Sequence, residues 1–187
     1  MTRMKGPWTV GQTRSIYKSS WLDISEDQVI RPDGLAGKFA VVRMKPGVSV
    51  LALNDDDEVY LTSEYRYAIE RESIEVVSGG IDGNEPPAVA ARRELREEVG
   101  IEAAQWIDLG SVDPFTSIIH SPTSLFVAKK LSLAEPKHEG TEIIRVIKVK
   151  LREAVRMVME SEITHGPSCV LILRTHCLLN SKKLESS

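Results

Sequence analysis

Cysteine and aromatic residues are scarce in this chain. Of its 187 residues, 2 are cysteine and 5% are aromatic. Two cysteines cannot provide the disulfide framework on which small secreted domains depend. Cys169 and Cys177 lie in an apolar segment, and a helix would separate residues eight apart by about 12 Å, too far for a disulfide. We therefore expect buried free thiols, as in a cytosolic protein.

Long hydrophobic runs and a strong charge of either sign are also missing from the sequence. No stretch approaches the roughly 20 apolar residues of a membrane span, and the N-terminal MTRMKGPWTV lacks the apolar core of a signal peptide. The net charge is −3, which gives no overall attraction to nucleic acid or anionic membrane. We expect a cytoplasmic protein that binds neither. An acidic chain that handles a polyanion needs bound metal or placed arginines.

The pattern of the chain predicts an α/β sandwich. Residues 13–45 read as extended, with a turn at Pro32-Asp33-Gly34, and a central helix is predicted over 85–99. Further strands are predicted at 48–53, 58–69, 74–80, 104–112, 124–133 and 142–151, and helices near 151–160 and 167–180. A strand-rich body with one central helix and a late helix pair favours a mixed sheet between helices.

The central helix carries three carboxylates on one side. Glu94, Glu97 and Glu98 stand at i, i+3 and i+4, so their side chains lie about a turn apart on one face. Like charges that close repel one another. The cluster is best explained by a hard cation such as Mg²⁺, which prefers oxygen ligands and reverses the local charge balance.

The residues around this cluster form a longer motif. Gly79 is followed by five residues and Glu85, then by seven residues and Arg93-Glu94-Leu95-Arg96-Glu97-Glu98-Val99-Gly100-Ile101. This segment resembles the Nudix box at every specified position. The alternative is a solvated, salt-bridged surface helix, in which Glu and Arg mix freely. The length of the match favours the Nudix reading.

The resemblance implies a fold and a set of roles. The fold would be the Nudix α/β/α sandwich with a mixed sheet, and the metal would be Mg²⁺, with Mn²⁺ as an alternative. Glu94 and Glu98 would be the principal ligands, and Glu97 would share a further metal or a water. Glu85 and Arg93 would orient the glutamates, and the main-chain carbonyl of Ser78 would be a further metal ligand. Gly79 and Gly80 permit close backbone approach before the helix, and Gly100 suits the helix C-cap.

Segments outside the box narrow the subfamily. TSEYRYAIERESIEVVSGGIDGNE resembles the stretch that leads into the box in ADP-ribose and nucleotide-sugar pyrophosphatases. That resemblance implies that Arg66 contacts phosphate, for which a guanidinium fork is suited, and that Glu75 lies near the polar edge of the substrate. It also implies an acidic residue on a later loop that acts as catalytic base or late metal ligand. Glu142 is the first choice for that residue and Glu139 the second.

The chain departs from the subfamily pattern at two places. Pro114 comes thirteen residues after Ile101, and a second proline, Pro122, follows, whereas ADP-ribose-selective members place a proline about fifteen residues after the box. Ser78 replaces a small apolar residue. His120, in the same loop as the prolines, can touch phosphate or act as a base, although a lone loop histidine is more often solvated.

A chain of 187 residues is most simply one domain, but its first 45 residues are more than a minimal Nudix domain requires. We assign residues 1–45 to an N-terminal β-rich arm and 46–187 to the Nudix domain. In the resembling group such an arm pairs with a second subunit and can complete its substrate pocket, which implies a homodimer. Trp8, Tyr17 and Trp21 are aromatic candidates for the interface or for stacking on a nucleobase.

The functional prediction follows from the box and its flanks. It is Mg²⁺-dependent hydrolysis of the diphosphate linkage of ADP-ribose or a related nucleoside diphosphate sugar, giving a nucleoside monophosphate and a sugar phosphate. One alternative is another Nudix substrate: NADH, FAD, a dinucleoside polyphosphate or capped RNA. The other is a non-catalytic nucleotide sensor, for which eroded box carboxylates would be typical. The sugar, the base, the attacked phosphorus, the number of metals and any exchange of the arm between subunits stay open.

Overall fold

The structure is a computed structural model that describes residues 2–134 and 143–185, with side chains to residue 181. Its strands are β1 (Arg3–Lys5), β2 (Trp8–Lys18), β3 (Leu22–Ile30), β4 (Ala36–Met44), β5 (Gly47–Leu53), β6 (Glu58–Arg66), β7 (Arg71–Glu75), β8 (Val77–Gly80), β9 (Ile101–Val112), β10 (Ile119–His120), β11 (Thr123–Leu133) and β12 (Arg145–Lys150). Its helices are α1 (Pro87–Val99), α2 (Leu151–Met159) and α3 (Gly166–Glu185).

The chain divides into two compact units. The N-terminal unit consists of Met1–Pro46 together with Asp113–Pro122, and the main unit consists of Gly47–Val112 and Thr123–Ser187. The expected division at residues 45 and 46 therefore does not anticipate that the later segment 113–122 belongs with the N-terminal residues.

The N-terminal unit is a five-stranded sheet in the order β1-β2-β3-β4-β10. Strands β1 to β4 form an antiparallel meander, and β10 pairs in parallel with β4. The predicted turn after β3 is present: Gly34 has a φ of 83°, and its N–H donates to the Arg31 carbonyl at 2.9 Å. A left-handed φ of this kind favours glycine, so the turn is specified locally.

The main unit contains a seven-stranded mixed sheet. The strand order is β12-β6-β5-β11-β9, with β7 paired to β6 and β8 paired to β5. Strand β11 runs parallel to β5, whereas the other pairs of this sheet are antiparallel. Parallel neighbours need a long connection, and here the chain between β5 and β11 includes α1.

Helices cover both faces of this sheet. Along β5, Val48, Val50 and Ala52 pack in one apolar cluster with α1, and Leu51 and Leu53 pack in a second cluster with α2 and α3. This alternation is the period of a strand that is buried on both faces. The predicted α/β/α sandwich with a mixed sheet and a β-rich N-terminal region is confirmed.

Several local predictions need correction. The segment 74–80 is two strands, β7 and β8, and 67–69 is a 3₁₀ turn rather than the end of a strand. Strands β1 and β10 were not predicted. The cysteines are free, as expected, but only Cys169 is half-buried, and Cys177 is exposed. No described helix is long and apolar enough to cross a membrane.

Candidate active site

The carboxylate helix α1 is bounded by residues that specify its ends. Pro86 caps its start and Pro87 occupies its first position, where a missing N–H costs nothing. At its end Gly100 has a φ of 62°, and its N–H donates to the Arg96 carbonyl at 3.1 Å. A glycine in this left-handed conformation is the common helix stop. The local sequence therefore fixes the register that presents Glu94, Glu97 and Glu98 together.

Arg93 connects the carboxylates of α1 with the turn before the helix. Its Nη1 donates to Glu94 Oε1 at 2.8 Å and to Glu97 Oε2 at 3.0 Å. Its Nη2 donates to Glu85 Oε1 at 2.8 Å and to the Gly80 carbonyl at 2.9 Å. Only a planar guanidinium has donors in a fixed fork that can serve four acceptors in this way.

These contacts set the electrostatics of the group. The hydrogen bond that Arg93 donates to Glu85 raises the pKa of Arg93, and although partial burial opposes this, the charge of Glu94 and the hydrogen bonds to Glu97 and Glu94 add to it. The Arg93 hydrogen bond, with a further one from the Asp82 N–H, holds the pKa of Glu85 below its ordinary value. The single guanidinium of Arg93 binds three carboxylates, those of Glu85, Glu94 and Glu97. Glu98 adds a fourth carboxylate on the same helix, so the net negative charge of the group favours a cation.

Gly79 provides a seat for the Glu94 carboxylate. A Cβ at this position would lie 2.1 Å from Glu94 Cδ and 2.2 Å and 2.4 Å from its two oxygens. The Glu94 side chain is only 12% exposed, so it is held between the helix and the backbone of strand β8. This contact requires a residue without a side chain at position 79, which explains the first glycine of the motif in physical terms.

The acidic residues fit a divalent cation by charge and ligand type, because carboxylate oxygens are what Mg²⁺ prefers. Within residues 2–134 and 143–185, no three histidine, cysteine or acidic side chains already converge at ligating separation. Arg93 holds Glu94 and Glu97 in place through the hydrogen bonds described above. The set offers Glu94, Glu97 and Glu98 as candidate ligands around the seat at Gly79.

Arg66 and Glu75, two residues predicted separately to face the substrate, contact each other. The Nε and Nη2 of Arg66 donate to the two oxygens of Glu75 at 3.1 Å and 2.7 Å, and its Nη1 lies 2.8 Å from Glu64 Oε2. Burial opposes the charge on Arg66, but these hydrogen bonds and the charges of Glu75, Glu64 and Glu98 together raise its pKa. Because the charge of Glu98 helps to raise the pKa of Arg66, the guanidinium lies within electrostatic range of the carboxylates of α1.

Sequence reasoning missed two residues that surround Glu75. His165 Nδ1 lies 3.5 Å from Glu75 Oε2 and 2.8 Å from Ser168 Oγ, and the Ser168 hydroxyl accepts the Val76 N–H at 3.0 Å. Burial lowers the pKa of His165, although the Glu75 charge opposes the shift. Burial alone would raise the pKa of Glu75, but Arg66 and His165 lower it overall. No local pattern signals a contact across ninety residues.

The other predicted residues are distributed as follows. Ser78 lies on β8, where its hydroxyl donates to the Val76 carbonyl at 3.0 Å and lies 2.9 Å from that of Ser49; its carbonyl as a metal ligand stays a prediction. Glu139 and Glu142 lie outside the described residues. His120 belongs to the N-terminal unit.

The predicted aromatic residues of the N-terminal unit differ in exposure. Trp8 is half-buried and packs edge-on against Phe39, with 5.4 Å between ring centroids. Tyr17 and Trp21 are exposed, and Lys45 Nζ lies 5.0 Å from the Trp21 ring centroid. Trp21 and Tyr17 are therefore available for an interface, whereas Trp8 contributes to packing within its unit.

Comparisons with known proteins give family matches for both parts of the chain. Residues 43–164 match the family model of the NUDIX domain, and residues 8–42 match that of the nucleoside diphosphate sugar hydrolase N-terminal domain. An ADP-ribose pyrophosphatase of Bacillus subtilis (strain 168) is 28% identical over 79% of this chain and 81% of its own length. A methanol dehydrogenase activator of Bacillus methanolicus is 29% identical over 86% and 88%. A solved structure titled as that of an ADP compounds hydrolase covers 96% of this chain and 98% of its own, with a TM-score of 0.80 at 20% identity, and supports the fold.

Proposed function

Because the chain belongs to the Nudix family of hydrolases, we propose that it hydrolyses the diphosphate linkage of ADP-ribose or a related nucleoside diphosphate sugar in a Mg²⁺-dependent reaction. The products would be a nucleoside monophosphate and a sugar phosphate. The observation that carries the proposal is the complete carboxylate group of α1, gathered by Arg93 and seated against Gly79. The names of the relatives, which include ADP-ribose pyrophosphatases, support the substrate class.

The residues of α1 would hold the metal and keep its ligands in place. Glu94 and Glu98 are the proposed principal ligands, and Glu97 the ligand of a further metal or water. When bound, the metal neutralises phosphate oxygens and lowers the pKa of a coordinated water. Arg93 orients Glu94 and Glu97 and ties them to Glu85, and such supporting hydrogen bonds tune both affinity and reactivity.

The pair on β6 and β7 would contribute to substrate binding. Arg66 is proposed to contact the diphosphate, and Glu75 fixes its guanidinium plane through two hydrogen bonds. His165 and Ser168 in turn restrict Glu75 and the backbone at Val76. A guanidinium held in this way loses little freedom when an anion binds. The proposed base is Glu142, with Glu139 as the second candidate.

The test is a hydrolysis assay with a substrate panel. ADP-ribose, GDP-mannose, UDP-glucose, NADH, FAD and a diadenosine polyphosphate are incubated with Mg²⁺ or EDTA, and an added phosphatase releases phosphate from monoester products. Glu98→Gln should lower turnover by at least about a hundredfold, since metal stabilisation of the transition state is worth several kcal/mol. The control Glu102→Gln, at an exposed glutamate that pairs with Arg96, should retain activity.

Two results would overturn the proposal. If no compound of the panel is cleaved by folded protein that binds Mn²⁺ or Mg²⁺ in a calorimetric titration, hydrolysis of this class is wrong. If Glu98→Gln cleaves as fast as the unchanged protein, the assignment of the metal site to α1 is wrong. If the unchanged protein and Glu98→Gln bind nucleotides with equal affinity and neither cleaves them, the protein is instead a nucleotide sensor.

We also propose a homodimer that forms through the N-terminal unit. Exposed apolar side chains are concentrated there, among them Ile16, Tyr17 and Trp21. An apolar surface of this kind commonly marks a protein interface. Light scattering coupled to gel filtration should give twice the 20.8 kDa chain mass, and Trp21→Glu should shift the mass toward the monomer. A monomeric mass for the unchanged protein at micromolar concentration would contradict the proposal.

A further inference from the structure

The N-terminal unit contains an aromatic pocket that the hydrolytic chemistry does not use. Its volume is about 380 Å³, and it is formed entirely by residues of this unit, mainly from one face of β2, β3 and β4 and from segment 113–120. Its aromatic side chains are Trp8, Phe39 and Phe115, and its charged side chains are Lys5, Asp27 and Asp113. Its size and lining are those of a small-molecule site: apolar and aromatic walls with a few polar groups.

Asp27 is the unusual member of this lining. Its neighbours on the same face, Val10, Val29 and Val41, are apolar, yet Asp27 is itself 2% exposed. A buried carboxylate needs compensating partners. The Thr13 hydroxyl donates to Asp27 Oδ1 at 2.6 Å, and Lys5 Nζ lies 3.8 Å from Oδ2. An ionised carboxyl group has about four acceptor positions, so acceptor capacity remains inside the pocket.

The surrounding charges limit which ligand can use that capacity. The pocket is lined by two carboxylates, Asp27 and Asp113, and by the ammonium of Lys5. Lys5 Nζ already lies 3.8 Å from Asp27 Oδ2, so a second cation bound at Asp27 would meet repulsion from Lys5. A neutral, flat ring with N–H donors avoids this repulsion and suits the aromatic walls, because rings stack or meet edge to face at such side chains. The Lys5 ammonium, with 53% of its side chain exposed, can then face an anionic group carried by the ligand.

We propose that this pocket binds the guanine base of a nucleotide, with Asp27 accepting hydrogen bonds from guanine N1–H and the 2-amino group. Among the common bases, guanine presents two adjacent donors on one edge. Adenine places its amino group next to the N1 acceptor, whose lone pair a carboxylate repels. Lys5 would neutralise phosphate. The proposal rests on the proposed function in that the ligand is a nucleotide, and it selects among bases that the sequence leaves open.

The first experiment measures binding of mononucleotides by calorimetric titration in EDTA, so that no hydrolysis is involved. GMP should bind at least about tenfold more tightly than AMP, as expected when a bidentate pair discriminates between bases. IMP, which keeps N1–H but lacks the 2-amino group, should fall between them. Equal affinities for GMP, IMP and AMP would overturn the proposal without any variant.

The second experiment changes the recognition chemistry. Asp27→Asn is nearly isosteric and should weaken GMP binding about tenfold while strengthening XMP binding by a similar factor, because xanthine has a carbonyl where guanine has its amino group, and the Asn amide can donate to it. The control is Glu26→Gln, which removes a charge from the opposite face of the same strand. A folded Asp27→Asn protein with unchanged GMP and XMP affinities would overturn the assignment.

Kinetics identify where the guanine comes from. If it is the base of the substrate, Asp27→Asn should lower kcat/KM for GDP-mannose about tenfold and raise that for ADP-ribose, because the Asn amide can donate to adenine N1. If it belongs to a separate nucleotide, GMP should alter ADP-ribose turnover without competing with it. Failure of the two proposals is separable: selective GMP binding without any hydrolysis refutes the proposed function alone, and hydrolysis with no selectivity for GMP refutes the guanine pocket alone.

Discussion

The seat of Glu94 against Gly79 allows a quantitative test of the active-site geometry. Gly79→Ala places a methyl group where Glu94 Cδ now lies at 2.1 Å. Carbon atoms in contact stay about 3.5 Å apart, so the carboxylate has to retreat by about 1.4 Å. Gly79 does not have a left-handed φ, which means that the backbone tolerates alanine and the strain falls on the Glu94 side chain.

The expected effect is a large loss of activity in a protein that still folds. A misplacement of about 1 Å costs roughly a hundredfold in rate, which corresponds to about 2.7 kcal/mol of transition-state stabilisation. The fold loses one hydrogen bond between charged groups, Arg93 and Glu94, and such a bond contributes about 1.5–3 kcal/mol. Gly79→Ala should therefore fold and keep most of its stability while kcat/KM falls about a hundredfold.

The assay compares kcat/KM on the preferred substrate, Mn²⁺ affinity and the urea midpoint. Gly11→Ala is the matched control, because a Cβ there would meet only the Gln28 carbonyl at an ordinary 3.5 Å. In a Glu94→Ala background, the added methyl group has no carboxylate to displace, so Gly79→Ala should cause no further loss of stability. The reasoning is refuted if Gly79→Ala keeps wild-type kcat/KM and metal affinity, or if its stability cost persists without Glu94.

Three further predictions concern other parts of the main unit. Arg93→Lys should lower kcat/KM by about 10- to 100-fold, because an ammonium cannot serve Glu85, Glu94 and Glu97 from one planar fork; steady-state kinetics would show this, with Arg92→Lys as the exposed control. The pKa of Glu58 is lowered to about 2 by hydrogen bonds from Asn54 and Lys148. Its stabilising effect is therefore present above the ordinary carboxyl pKa and is lost as pH falls from about 4.5 to about 2. Glu58→Gln should flatten the decline of the urea midpoint in that window, and an identical decline in both proteins would contradict the assignment. Leu51→Ala should lower the free energy of unfolding by about 2–5 kcal/mol because the side chain is fully buried, whereas Leu133→Ala, at an exposed side chain, should change it by less than about 0.5 kcal/mol.

The features that the sequence predicts well are those specified within a few residues. The bounds of α1 follow from Pro87 and Gly100, and the grouping of its glutamates follows from helical spacing. The two buried faces of β5 follow from an unbroken apolar run. In each case the determining contacts are local, so neighbouring residues carry the information.

The features that the sequence does not predict depend on contacts between distant segments. His165 contacts Glu75 only because α3 packs on the sheet that includes β7. The hydrogen bond from the Val76 N–H to Ser168 Oγ likewise joins residues 92 positions apart in the sequence. Asp27 is buried although its flanks, Glu26 and Gln28, are polar, so no alternation marks its inward face. The pairing of β10 with β4 links residues nearly eighty positions apart.

The N-terminal unit is built from two separate stretches of the chain, and this constrains how such proteins recombine. A single genetic crossover near residue 46 would transfer β1 to β4 but leave Asp113–Pro122 behind, so that strand β10 would face a foreign partner. A chimera that exchanges the unit must therefore replace both stretches together. The same holds for truncation: a gene that begins at residue 47 encodes the segment 113–122 with its apolar residues Ile118 and Ile119 but without the sheet they belong to. The N-terminal unit is compact in the structure, but the residues that form it are not contiguous in the gene.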